Sequence, residues 1–171
     1  MTNDSGMSLM RHFFVVIILA LTHLPLAMAE SVPYPLDRPA LDLYLLDGQR
    51  HTFTLAELQR LPQSRIRLKD AQGVAHLWLG VSLADLLASV SGAEKGNALH
   101  ARALNQYSIF IPRLDIERYQ PLIAYRRDDQ LMAIRDFGPL HLIYPFDDYP
   151  ELRQQLFYNR AIWQLSEIHL E

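Results

Sequence analysis

From residue 41 onward the apolar positions change period repeatedly, and each change marks an element. Leu41-Asp42-Leu43-Tyr44-Leu45 alternates apolar and mixed residues, as a half-buried strand does. Asp47-Gly48 follows, and Arg50 to Phe53 reads as the returning strand of a hairpin, with Asp-Gly in a tight turn. Thr54-Leu55-Ala56-Glu57 has capping-box spacing ahead of Leu58 and Leu61, which predicts a short helix ending at Pro62. Ile66 to Lys69 and Val74 to Leu79 read as two strands around an Asp70 to Gly73 turn. Ser82-Leu83-Ala84-Asp85 is a second capping box, opening a helix through Leu86, Leu87 and Val90 that Gly92 closes. Strand-like segments then dominate: Leu99 to Leu104, Tyr107 to Pro112, Leu122 to Tyr125, Leu140 to Tyr144 and Leu165 to Leu170. Helical turns are expected at Leu114 to Arg118 and at Pro150 to Phe157. Strands with brief interposed helices, not regular βαβ units, predict an α+β fold with mixed or antiparallel sheets.

Ahead of this pattern lies a different one. Phe13 to Leu21 carries no polar side chain, and Arg11 and His12 precede it. The run has the length of a signal-peptide core and falls short of the roughly 20 residues that span a bilayer. Pro25 breaks any helix after it, and Ala27-Met28-Ala29 has the small-x-small form of a cleavage site. Residues 1–29 are therefore expected to be a cleavable signal peptide, with an uncleaved anchor as the alternative. Residues 30–40, with Pro33, Pro35 and Pro39, read as an extended lead-in, and 41–171 as one domain. The expected address is the periplasm.

Composition removes several classes of function. The 171-residue chain has no cysteine, so disulfides, thiolate nucleophiles and Cys-ligated metals are excluded. The net charge is −3 with mixed signs and no basic run, which argues against a nucleic-acid partner. His51, His76, His100, His141 and His169 are scattered, with no metal-ligand spacing. His141 is the most interesting, although a structural histidine is the expected reading. No serine has the context of an activated nucleophile. The acid pairs Asp128-Asp129 and Asp147-Asp148 suit turns better than catalysis.

The order of the pieces resembles a known family. Trp78-Leu79-Gly80-Val81-Ser82-Leu83-Ala84-Asp85-Leu86-Leu87 is similar to the W-x-G-V-x-L-x-D-L-L segment of the sulfite-oxidase-like, oxidoreductase molybdopterin-binding domain family. Ala103-Leu104-Asn105-Gln106-Tyr107 sits where that family has a strand ending in D-G-Y or N-D-Y. Arg135-Asp136-Phe137-Gly138-Pro139-Leu140 resembles its G-P-L approach to a strand, and Tyr144-Pro145 with Ile162-Trp163-Gln164-Leu165 resembles its closing segment. The likeness runs from about Leu41 to the end and looks closest to short exported members. It implies mixed β-sheets with short helices and a cleft that holds a molybdenum–pterin cofactor in active members. It places Asn105, Tyr107, Arg135, Gly138, Tyr144, Arg160 and Trp163 along that cleft, Gly138 and Trp163 being open to a purely structural role.

Two departures bear on activity. Active members ligate molybdenum with a cysteine thiolate, and this chain has none. Exported molybdopterin enzymes generally leave the cytoplasm folded, by the twin-arginine route, whereas Arg11 here is followed by His12. The expectation is a chain exported unfolded by a Sec-type route and carrying no cofactor. It would bind a small anionic or planar ligand, or a membrane-bound sensor or redox subunit, without redox catalysis. The alternative is a molybdopterin-dependent oxidoreductase with a non-cysteine metal ligand. The richness of the last third in arginine and tyrosine (Arg126, Arg127, Arg153, Tyr125, Tyr149, Tyr158) fits a ligand site or simple packing.

Overall fold

Backbone pairing sorts the strands into two sheets. The computed structural model describes residues 33–171; the expected signal peptide, and the lead-in up to residue 32, lie outside the described residues. The described residues belong to one compact unit. One sheet has the order β2-β1-β11-β5-β6, built from β1 (Pro39–Tyr44), β2 (Arg50–Thr54), β5 (Ala98–Ala103), β6 (Ser108–Pro112) and β11 (Leu165–Leu170). The other has the order β10-β9-β7-β4-β3, from β3 (Ser64–Lys69), β4 (Ala75–Ser82), β7 (Leu122–Arg127), β9 (His141–Ile143) and β10 (Ile162–Trp163); β8 (Gln130–Leu131) hangs on β7. β1 and β11 run parallel, and the remaining ladders are antiparallel.

The main core lies where the two sheets face each other. Leu41, Leu43, Leu99, Ile111 and Ile168 come from the first sheet, and Val81, Ile123 and Leu142 from the second. Two short helices close it: α1 (Leu55–Leu58) contributes Leu55 and Leu58, and α2 (Leu83–Ala88) contributes Leu83, Leu86 and Leu87. A second apolar cluster (Trp78, Leu122, Ala124, Met132, Ile143) covers the opposite face of the second sheet. The third gathers Tyr119 and Tyr144 around Leu152, between α3 (Arg113–Tyr119) and α4 (Gln155–Arg160). The architecture is α+β, as its periodicities imply.

Several local expectations change. The Thr54 capping box forms in full, with Glu57 reaching back to the Thr54 N–H, but α1 stops at Leu58, short of Pro62. α2 ends at Ala88 and does not extend through Val90, because the Ser89 hydroxyl donates to the Leu86 carbonyl at 2.6 Å and turns replace the next helical bonds. The Asp47-Gly48 connection is not a two-residue turn: Gly48 N–H donates to Leu45, and Leu45 N–H to Gln49. The segment Pro150 to Phe157 is two pieces, a 3-10 turn at Pro150–Leu152 and then α4, separated by the extended Gln154. β1 begins at Pro39, inside the expected lead-in.

Candidate functional site

The two sheets are joined where the chain passes from β10 to β11, and Gln164 sits at that passage with φ of 53°. Its N–H donates to Phe137 O at 3.0 Å, its carbonyl accepts from Leu104 N–H at 3.0 Å, and its side-chain amide donates to Ile134 O at 2.8 Å. One glutamine thus ties together the β5–β6 turn, the 3-10 turn Ile134–Asp136 and the end of β10. Four of the expected site residues lie on those three segments, Asn105, Tyr107, Arg135 and Trp163, and Gly138 follows just after the 3-10 turn.

Their side chains do different things. Asn105 Oδ1 accepts from Tyr107 N–H at 3.0 Å, shaping its own turn. The Tyr107 hydroxyl donates to Asn159 O at 3.1 Å, pinning that turn to α4. Arg135 is half exposed, with Asp136 3.8 Å away. Gly138 is structural for a reason other than backbone freedom: a Cβ there would overlap the carbonyls of Met132 and Ala133. Beside this junction lies a pocket of about 270 Å³, lined by Leu104, Gln106, Ile134, Pro139, Asp42 and Ser166. Four of these residues, Leu104, Gln106, Ile134 and Pro139, are chain neighbours of the expected ones.

The other two expected residues turn inward. Tyr144 is fully buried, and its hydroxyl donates to Asp115 at 3.0 Å. Arg160 donates to the same Asp115 oxygen at 2.6 Å, its guanidinium also lying over Phe157. Burial, and then the Asp115 charge, push the Tyr144 phenol far above its ordinary value, so it stays protonated. Asp115 was not singled out from sequence, although an acid sharing a helical face with Ile116 and Tyr119 is a legible sign of a buried partner.

A further grouping lies on the outer face of the second sheet. Trp163 and His141 are cross-strand partners on β10 and β9. Phe137 stacks on both, at 5.2 Å from Trp163 and 5.7 Å from His141, and Trp78 meets the imidazole edge-on at 5.3 Å. The Arg127 guanidinium lies 5.6 Å from the Trp78 ring centre and 5.9 Å from that of Phe137. His141 Nδ1 is shut off from solvent with no hydrogen-bond partner. Burial, assisted by the Arg127 charge, pushes this imidazole down to about 4, so it is neutral at ordinary pH.

Elsewhere histidine has a structural task. His76 holds Asp128 at 2.6 Å and Asp70 at 3.2 Å, clasping the β3–β4 and β7–β8 turns. The hydrogen bond to Asp128, then that to Asp70, raise its pKa. Asp128 and Asp129 both have positive φ, so this acid pair is the two-residue turn of the β7–β8 hairpin. Among the described residues no three His, Asp or Glu side chains form a metal-holding group, and no helix is long and apolar enough to cross a membrane.

This architecture, one mixed and one antiparallel sheet joined at a loop cluster and closed by short helices, defines an α+β class of domain. Its fold is similar to that of the sulfane dehydrogenase SoxCD from Paracoccus pantotrophus, with a TM-score of 0.60 and 15% identity over 82% of this chain. The match spans 40% of the SoxCD chain, so this chain corresponds to less than half of that protein's length. No family model matches the chain, and no curated protein does.

The residues present do not fit the molybdenum–pterin group that the family resemblance implies. The sequence offers no thiolate. Tyr144 and Arg160, expected on the cleft, are spent on Asp115, and Gly138 is packed against backbone.

Proposed function

We propose that this is an exported binding module: a sulfite-oxidase-like, molybdopterin-type domain that works without molybdenum. It takes up a small anionic or planar ligand in the periplasm and reports to a membrane-bound partner. The observation that carries the reading is the pairing of an oxidoreductase-like fold with a donor set that has no thiolate and whose polar residues bond one another. Supporting the address are the apolar run Phe13 to Leu21 and the Ala27-Met28-Ala29 site. The absence of a second arginine after Arg11 supports export of an empty, unfolded chain.

One rival has a specific observation in its favour. The likeness to a dehydrogenase agrees with a molybdopterin-dependent oxidoreductase whose metal is held by a non-cysteine ligand. Native mass spectrometry of the full chain expressed in a periplasm-bearing host with molybdate separates the two. The expected species is a periplasmic polypeptide beginning near Glu30 at its bare mass. A retained leader contradicts the address, and an added metal–pterin mass contradicts the cofactor-free reading.

A further inference from the structure

Phe137 occupies a slot with three kinds of wall. Trp163 and His141 lie nearly parallel to its ring, at 28° and 20°, and the Arg127 cation lies over it. Two aromatic faces and a guanidinium are what holds a flat, negatively charged molecule. Two further observations single the slot out. Phe137 has φ of 72°, a left-handed backbone that a bulky residue rarely adopts. His141 Nδ1, beneath the slot's filler, has no partner, although a buried polar atom ordinarily finds one. Arg127 forms no ion pair among the described residues, and Trp163 is 50% exposed, so the slot opens to solvent on one side.

The geometry points to Phe137 as a built-in stand-in for a ligand's ring: when it swings aside, the slot takes a planar aromatic carboxylate. This rests on the reading of the domain as a binding module and names the class of ligand. The ring lies between Trp163 and the His141 face, where Phe137 now stacks. The carboxylate pairs with Arg127, at the edge of the ring rather than over it.

The test is a titration of the purified mature chain with benzoate and nicotinate, with cyclohexanecarboxylate as the non-planar control. Tryptophan fluorescence and the ¹⁵N shifts of the His141 imidazole report on the slot. Both aromatic acids are expected to bind saturably and move the His141 signals, and the control to do neither. Phe137→Gly empties the slot, so benzoate binding tightens by the reciprocal of the fraction of open slot in the wild type, at least about tenfold for a minor state populated at about 10% or less. Arg127→Gln abolishes the gain. The proposal is overturned by equal binding of the control, by a folded Phe137→Gly that binds no better, or by an unchanged affinity in Arg127→Gln. Should Phe137→Gly fail to fold, the wild-type chain decides: no saturable shift of His141 with either aromatic acid overturns the proposal. Failed titrations on metal-free protein remove the slot alone, whereas a bound metal–pterin removes the cofactor-free reading, so the two failures are distinct.

Discussion

Two side chains meet at Asp115, whose carboxylate is 9% exposed. Arg160 supplies the positive charge and Tyr144 a hydroxyl proton. Removing one partner of such a buried pair leaves an uncompensated charge, which outweighs the value of the bond itself. Arg160→Ala should therefore lower stability by about 3 kcal/mol, read from denaturant midpoints at unchanged slope. His141 gives a second test at this scale. Its native pKa is about 4 against 6.5 in the unfolded chain. Above pH 6.5 neither state is protonated there, so the imidazole adds no pH dependence. As pH falls from about 6.5 to about 4, the unfolded chain binds a proton that the native chain refuses, and stability drops by up to about 3 kcal/mol. His141→Gln should flatten that part of the stability-against-pH curve; an unchanged slope would show the ring to be open to protons. His76 acts in the opposite sense, its raised pKa favouring the fold at lower pH, so its contribution stays in the curve of His141→Gln.

The elements show what was legible and what was not. β11 spans the strand-like segment Leu165 to Leu170, and α1 follows from the reciprocal Thr54 and Glu57 bonds. Capping and period are local, so the sequence carries them. The two-residue strands β8 and β10 have no room for a period, and only their partners on β7 and β9 define them. Asn105, Tyr107, Arg135, Gly138 and Trp163 were singled out by likeness, yet what gathers them is Gln164, whose bonds reach residues far off in sequence. Likewise nothing local marks Phe137 as the ring between His141 and Trp163. Gly80 offers an element-scale test, since a Cβ there would overlap the backbone of Ile123 and Ala124 where β4 meets β7. Gly80→Ala should cost roughly 2–3 kcal/mol and raise amide exchange along β4 and β7 before β5 and β11.

For the whole molecule the question is whether the fold stands without a cofactor. Its main core joins the two sheets directly through aliphatic side chains, and α1 and α2 close it with leucines. No part of that core is organised around a metal-ligating group. A protein that binds a cofactor in its native state alone gains stability from it, in proportion to the logarithm of cofactor concentration over affinity. The most direct measurement is therefore the thermal unfolding of this chain purified from two otherwise identical hosts, one making molybdopterin and one unable to. The account predicts superimposable transitions and equal yields. A higher midpoint, or folded protein recovered only from the molybdopterin-making host, would contradict it.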